Sequence, residues 1–377
     1  MIKIDWFSEK VRNNYYTEMK KYLPESIVWY GDIDDTKNPY RIDTYKLLCG
    51  TKSEVFKCTN IDLYFSLRKA IDLKKKGDLK AAKKEFNKQI SSNTSFFKKY
   101  TSSYCGTLQS VTDLSDKIEA DLDQAMETLY CDVFPNITRK DKQKSLYDLI
   151  GTETRAWLMN SLNVECCPYC NRQYITSLNG VPGKTYPIST ADLDHFYNKS
   201  IFPLFALSLF NFVPSCQVCN SRVKGKRWLD AVYPYDEEFG DNAVFTIDYS
   251  IMPKDKSVDA MTALEPVPVP IDISVQTSDI QLKQRIENSM ELFRILQVYQ
   301  SHQKYAGEIL WKKHLYSDPA YIDSLRNSFS NLKHFEITEQ DLNLFLYGYR
   351  LDREHKYDKD RPLSKLTYDL VLRNEYD

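Results

Sequence analysis

The spacing of apolar and polar positions divides the chain into three stretches of different texture. From residue 1 to about 150 the pattern is largely helical, and its clearest piece is a helical pair over Asp62–Ile90 that turns at Gly77-Asp78. Residues 151–235 differ in texture from both flanks. Beyond 236, AVFTIDYSIM and PVPVPIDISVQ predict short strands or extended edge segments, the prolines of the second barring a central sheet position. Residues 279–316 then carry Ile286, Met290, Phe293 and Leu296 at spacings of three and four, which predicts one long amphipathic helix or two joined ones. Thr338 with Asp341 predicts a capping box that opens a helix near residue 339. The resulting expectation is an α+β protein with helical regions at 1–150 and 236–377 flanking a distinct central region at 151–235.

Composition narrows the classes. The chain has 377 residues, 42% apolar and 13% aromatic, which is too hydrophobic for wholesale disorder and long enough for two or three domains. The start, MIKIDWFSEKVRNNYY, lacks the uninterrupted apolar core of a secretory signal, and no segment reaches the ~20 apolar residues that span a bilayer. The most apolar run, Ile201–Val213, is broken by Pro203, Ser208 and Asn211, so a cytoplasmic protein with no membrane partner is expected. In the helical pair, Ala70, Leu73, Gly77, Leu79, Ala82 and Phe86 resemble one tetratricopeptide repeat. Arrays need about three copies to bury a continuous core and no second copy follows, which leaves a plain helical hairpin.

Cysteine placement brings in chemistry. Nine cysteines without an export signal point to thiols or metal ligands rather than a disulfide framework. Cys49, Cys58, Cys105 and Cys131 are isolated and read as small buried hydrophobes. Cys167-Pro-Tyr-Cys170 and Cys216-Gln-Val-Cys219 are two CxxC pairs, each able to bring two thiolates to one ion. Together they make a closed, structural zinc site. Cys166 adjoins the first pair and could replace Cys167 only with altered spacing. Between the pairs lies Asp192-Leu193-Asp194-His195, and His195 is the only histidine in the first 301 residues. Asn211 follows it, and Asn220 comes directly after the last cysteine.

The strings LDHFYNKS and SLFNFVPSCQVCNSRVKGK resemble the zinc-knuckle form of the HNH endonucleases, whose core is a ββα-metal hairpin and helix; the resemblance runs from Cys167 to Trp228. It implies that Asp194 and His195 fill the family's first position, Asn211 its second and Asn220 its third, the last as Asn rather than His. CPYCNRQYI, DLDHFYNKS and PSCQVCNSRVKGK also resemble HNH subunits found with ATPases in bacterial phage-defence systems such as Septu and some retrons. The implied activity is metal-dependent phosphodiester hydrolysis, with nucleic acid (DNA before RNA) as substrate and an ATPase subunit as partner.

In that reading a neutral imidazole makes His195 the general base. Asp194 and Asn220 would hold a catalytic Mg2+ or Mn2+, with Asp192 as a spare carboxylate. Asn211 would fix the loop that orients His195 through hydrogen bonds to backbone. Arg222, Lys224, Lys226 and Arg227 would face the phosphate backbone from a helix ended by Gly225. The local elements predicted are a strand at Tyr174–Leu178, a turn at Asn179-Gly180, a return strand at Ser189–Phe196 and a short helix at Pro203–Phe210.

Charge adds a restraint. With 51 basic and 52 acidic residues the net charge is −1, whereas a free-standing nonspecific nuclease often has a broadly basic surface. The basic residues gather locally, and Lys74, Lys75, Lys76, Lys80, Lys83 and Lys84 of the hairpin are a second candidate phosphate-binding group. This distribution suits an enzyme whose substrate is delivered or gated by another subunit. The competing reading from a different class is a catalytically inactive, zinc-stabilised nucleic-acid-binding or scaffolding subunit.

Overall fold

A computed structural model of the chain describes residues 1–23, 26–28, 41–59, 149–178, 188–199, 202, 205–252, 265–331 and 337–373, with 73, 77, 78, 80, 81 and 84. Apart from those six positions, the Asp62–Ile90 helical pair and its lysines lie outside the described residues, as do Cys105, Cys131 and the Asn179-Gly180 turn. Packing groups the chain into two compact units. One comprises Phe7–Thr154 with His195–Phe212, and the other Met1–Trp6, Arg155–Asp194 and Val213–Asp377. Both are discontinuous in sequence, so these divisions run along different lines from the consecutive regions 1–150, 151–235 and 236–377.

In the first unit, helix α1 (Glu9–Met19) starts where the Ser8 hydroxyl accepts from the Val11 N–H. Strands β1 (Ser26–Val28) and β2 (Arg41–Asp43) pair antiparallel with Ile27 opposite Ile42. Asp43 then caps α2 (Thr44–Cys49), and α3 (Lys52–Thr59) follows. Tyr15, Met19, Leu47, Leu48 and Val55 are buried here. The apolar run that returns to this unit adds Phe202, Phe205, Phe210 and Phe212, and Phe56 lies 5.5 Å from the Tyr197 ring and 5.9 Å from those of Phe205 and Phe210.

Among its described residues this run is not the helix expected at Pro203–Phe210; it makes turns and a 3-10 turn at Leu209–Asn211. The carbonyl of Phe205, which an α-helix would give to the amide of residue 209, instead accepts from the Ser208 N–H at 3.2 Å, closing a tighter turn, and from the Asn211 side chain at 3.0 Å.

The second unit takes up α4 (Thr152–Ser161) from Arg155 onward. Strands β3 (Ser177–Leu178) and β4 (Ile188–Ser189) pair antiparallel, and β5 (Ala191–His195) and β6 (Phe212–Cys216) form another two-stranded sheet. The two segments predicted as strands after residue 236 become β7 (Ala243–Ile247) and β8 (Ile271–Val275), antiparallel with Phe245 opposite Ile273. Three helices, not one or two, fill the next stretch: α5 (Ile280–Leu292), α6 (Ile295–Tyr299) and α7 (Gln303–Leu315). The first break comes at Arg294, whose left-handed backbone (φ 51°) cannot continue a helix.

Helices α8 (Pro319–Ser330), α9 (Glu339–Tyr347) and α10 (Ser364–Leu372) complete the unit, and α9 opens with the full Thr338–Asp341 capping box. Gly307 in α7 permits a close approach, since a Cβ there would lie 1.8 Å from the Val267 carbonyl oxygen. The described chain is therefore α+β, with helices and small two-stranded sheets. No helix among the described residues is long and apolar enough to cross a membrane.

Candidate metal centre and histidine site

The two CxxC pairs meet. The sulfurs of Cys167, Cys170, Cys216 and Cys219 lie within 4.8 Å of one another, all buried, and the Cys170 and Cys216 Sγ atoms are 3.9 Å apart. A zinc–sulfur bond of about 2.3 Å in a tetrahedron requires sulfurs about 3.8 Å apart, so the spacing and donor type fit a structural zinc ion. Bonds from Cys167, Cys170 and Cys219 pull the Cys216 thiol down, whereas bonding within the set and burial push Cys219 up.

Cys166 is buried outside the cluster, bridged through its backbone to Tyr174. Cys49 is a buried thiol pushed up to about 12 by burial, and it donates to the Arg12 carbonyl. Among the described residues no other group of three or more His, Cys, Asp or Glu side chains converges in this way.

In the unit containing Phe7–Thr154, His195 is 8% exposed and its Nε2 lies 2.9 Å from the Ala206 carbonyl oxygen. A carbonyl only accepts, so Nε2 carries the proton and the lone pair of the neutral ring sits on Nδ1. Asn211 holds the segment that supplies this carbonyl. Its Oδ1 accepts from the Tyr197 N–H at 2.6 Å, and its Nδ2 donates to the carbonyls of Tyr197 (2.9 Å) and Phe205 (3.0 Å). One buried amide thus ties residue 197, two beyond His195, to residue 205, which precedes Ala206. The Phe212 ring packs edge-on to the imidazole at 5.2 Å.

In the other unit, Asp194 and Asn220 are not a shared, ready pair of metal ligands. The Asp194 carboxylate is buried and receives the Lys224 ammonium on both oxygens, at 2.8 and 2.6 Å, and the Tyr169 hydroxyl at 2.7 Å. Burial, reinforced by the Asp194 charge, keeps the Tyr169 hydroxyl protonated. Asn220 instead donates to Asp192 Oδ2 at 2.9 Å, which also accepts from the Ser221 hydroxyl at 3.3 Å. As arranged, the residues expected to bind Mg2+ or Mn2+ do not fit a common ion.

The expected helix after the second knuckle is present as a π-helix at Val218–Lys224, closed by a bond from the Gly225 N–H to the Asn220 carbonyl. Of its expected phosphate-facing cations, Arg222, Lys226 and Arg227 are exposed, although Arg227 also donates to the carbonyls of Val223 and Leu292. Lys224 requires correction: it is 1% exposed and neutralises Asp194 rather than facing solvent.

Tyr169 and Asn171 are site residues that the sequence does not mark, and Lys224, expected on the phosphate backbone, has a different role. Tyr169 lies inside the first knuckle and also stacks on Phe293 at 4.2 Å. Lys224 has a buried partner 30 residues away. Asn171, directly after Cys170, has a left-handed backbone (φ 49°) that a CxxC followed by Asn can signal. A separate cleft of about 250 Å3 is lined by Asn160, Asn163, Glu165, Tyr174, Thr176 and Ser177, among others. Comparison with protein-family models, curated proteins and solved structures gives no match.

Proposed function

We propose that the chain is a zinc-stabilised endonuclease of the HNH type that hydrolyses phosphodiester bonds of nucleic acid with His195 as general base. The observation that carries this reading is the contact of His195 Nε2 with the Ala206 carbonyl oxygen at 2.9 Å. Its Nε2–H is committed to the Ala206 carbonyl, so the other ring nitrogen bears the lone pair that can take a proton from an attacking water. Asn211 acts as a positioning residue by holding Tyr197 and Phe205 to one amide. Zinc held by Cys167, Cys170, Cys216 and Cys219 supplies rigidity rather than chemistry. Arg222 and Lys226 are exposed cations suited to a phosphate backbone. The phage-defence role and the ATPase partner rest on the sequence resemblance and belong to the same proposal.

Purified protein incubated with plasmid DNA and with structured RNA, each with and without Mg2+ or Mn2+, tests the activity. His195→Ala is expected to lower the cleavage rate by about 10² to 10⁴-fold while zinc content and nucleic-acid affinity stay at parent levels. Cleavage by His195→Ala at the parent rate would overturn the reading. The second reading, an inactive zinc-stabilised binding or scaffolding subunit, is favoured by one observation: Asp194 is already neutralised by a buried lysine. It predicts nucleic-acid binding without cleavage under every metal condition.

A further inference from the structure

Arg285 and Arg373 each meet a carboxylate, on Glu237 and Asp241. Arg172, two residues past Cys170 on the first zinc knuckle, is held by neutral groups instead. Its Nε–H donates to His302 Nε2 at 2.9 Å, its Nη2 donates to the Ser301 hydroxyl at 3.1 Å, and its guanidinium lies 5.9 Å from the centre of the Tyr299 ring. Tyr299 in turn donates to the Cys170 carbonyl at 2.7 Å, which ties this assembly to the knuckle. Burial and the Arg172 charge both lower the His302 pKa, so the imidazole stays a neutral acceptor.

A guanidinium keeps its charge throughout the physiological pH range and presents five N–H donors in a planar fork. Two are used here. Among the described residues no carboxylate pairs with the group, and Nη1 has no partner and is open to solvent. A fork that is fixed, charged and open on one side suits an oxyanion from outside the chain. Tyr174, two residues further on, is 57% exposed despite its large ring. Two residues span at most about 7 Å of chain, so the cation and the ring are spaced for a single nucleotide.

We infer that Arg172 and Tyr174 bind an unpaired nucleic-acid strand, Arg172 through a phosphate and Tyr174 by stacking on an adjacent base. A carboxylate of a protein partner could use the same fork, but it leaves the exposed ring idle, whereas every base has a face to stack. The inference rests on the proposed function only for nucleic acid as the ligand, and it adds a single-stranded segment lying along the first knuckle.

The test is binding of a fluorescent oligodeoxythymidylate to the zinc-loaded full chain, with no other metal added, measured by anisotropy over a series of salt concentrations. Arg172→Gln removes the charge, so it should weaken binding about tenfold and reduce the magnitude of the log-affinity versus log-salt slope by about 0.7. Arg172→Lys keeps the charge without the fork and should hold the parent slope at lower affinity. Tyr174→Ala should lose about tenfold in affinity at the parent slope, and Tyr174→Phe should bind like the parent, because stacking needs the ring and not the hydroxyl. Parent affinity and slope in Arg172→Gln would assign the fork to a protein carboxylate and overturn the inference. Parent affinity in Tyr174→Ala, or no oligonucleotide binding by the parent, overturns it as well.

Zinc content and melting temperature at parent levels establish that each variant folds. If Arg172→Gln does not fold, the parent decides the matter: the Arg172 Nε–H, held by His302, should give a 15N signal that shifts as oligonucleotide saturates the chain, and a signal unmoved at saturation overturns the phosphate contact. Cleavage is read separately. Oligonucleotide binding with the expected slopes but no cleavage keeps the inference and removes the nuclease reading, whereas cleavage with an unchanged slope in Arg172→Gln does the reverse.

Discussion

Single side chains whose ionisation is tied to their partners give a direct handle on this protein. His355 is buried; burial alone pulls its pKa down, but Asp358 at 3.0 Å from Nδ1 and Asp241 at 3.4 Å from Nε2 outweigh that and raise it. Lys365 opposes the rise, Tyr368 packs on the ring at 4.3 Å, and Arg373 shares Asp241. A raised folded-state pKa means that the folded chain holds the proton more tightly than the unfolded one. The stabilisation is therefore fully present below the unfolded value of about 6.5 and is lost as pH rises through the raised folded value. Urea unfolding at a series of pH values should show that loss, and His355→Gln should flatten it; an unchanged profile in the variant would assign the slope to other groups. The sequence marks His195 well, as a solitary histidine between two CxxC pairs, because its signal is local. It does not mark the role of Lys224, whose carboxylate lies 30 residues away, or of His355, whose second carboxylate, Asp241, lies 114 residues away although Asp358 is only three residues on.

At the scale of elements, legibility follows how local the cause is. The strand-forming runs at 243–247 and 271–275 and the Thr338–Asp341 capping box have short-range causes, and all three appear in the fold. The one long helix or two joined ones expected across 279–316 become three, with the first break at Arg294, where nothing in the residue type announces a left-handed backbone. The helix expected at 203–210 gives way, in its described part, to turns in which the Phe205 carbonyl accepts from the Ser208 N–H and the Asn211 side chain. The π-helix is the least foreseeable element, since its widened turn brings Lys224 to Asp194 while Asn220 reaches Asp192. Gly225 makes its end possible, with φ 54° and ψ −129° and no atom near enough to obstruct a Cβ. Gly225→Ala should therefore cost stability through backbone conformation alone, about 1 to 3 kcal/mol. Denaturant unfolding checks the cost, and a neutral Gly225→Ala would mean that the turn relaxes without penalty.

At the scale of the whole molecule, the four-thiol cluster connects to much more than its own knuckles. Tyr299 donates its hydroxyl to the Cys170 carbonyl, and the next residue, Asn171, is a hub. The Asn171 Nδ2 donates to the Asp358 and Arg361 carbonyls, its Oδ1 accepts from the Ser364 hydroxyl and the Lys365 N–H, and its carbonyl accepts from the Leu363 N–H. Lys365 in turn forms a buried ion pair with Asp369, whose carboxylate accepts from the Phe245 N–H on β7. A chain of polar contacts thus runs from the cysteines to a segment nearly 200 residues later, and buried networks of this kind are costly to satisfy only in part. Zinc binding is coupled to folding when the site forms only in the folded chain, so its loss should be felt along these contacts. Removing zinc with a chelator, or substituting Cys216→Ser, should raise amide hydrogen exchange in residues 358–369 and around Tyr299 as well as in the knuckles, and should lower the melting temperature. Exposed loops provide the internal reference, because their exchange is fast already and has little room to change. Faster exchange confined to residues 167–170 and 216–219 would show that the knuckles fold by themselves and that Asn171 merely borders them. Exchange that spreads to residues 358–369 would make the metal centre the keystone of this unit, which is the role a structural zinc must have if the chemistry proposed for His195 lies elsewhere.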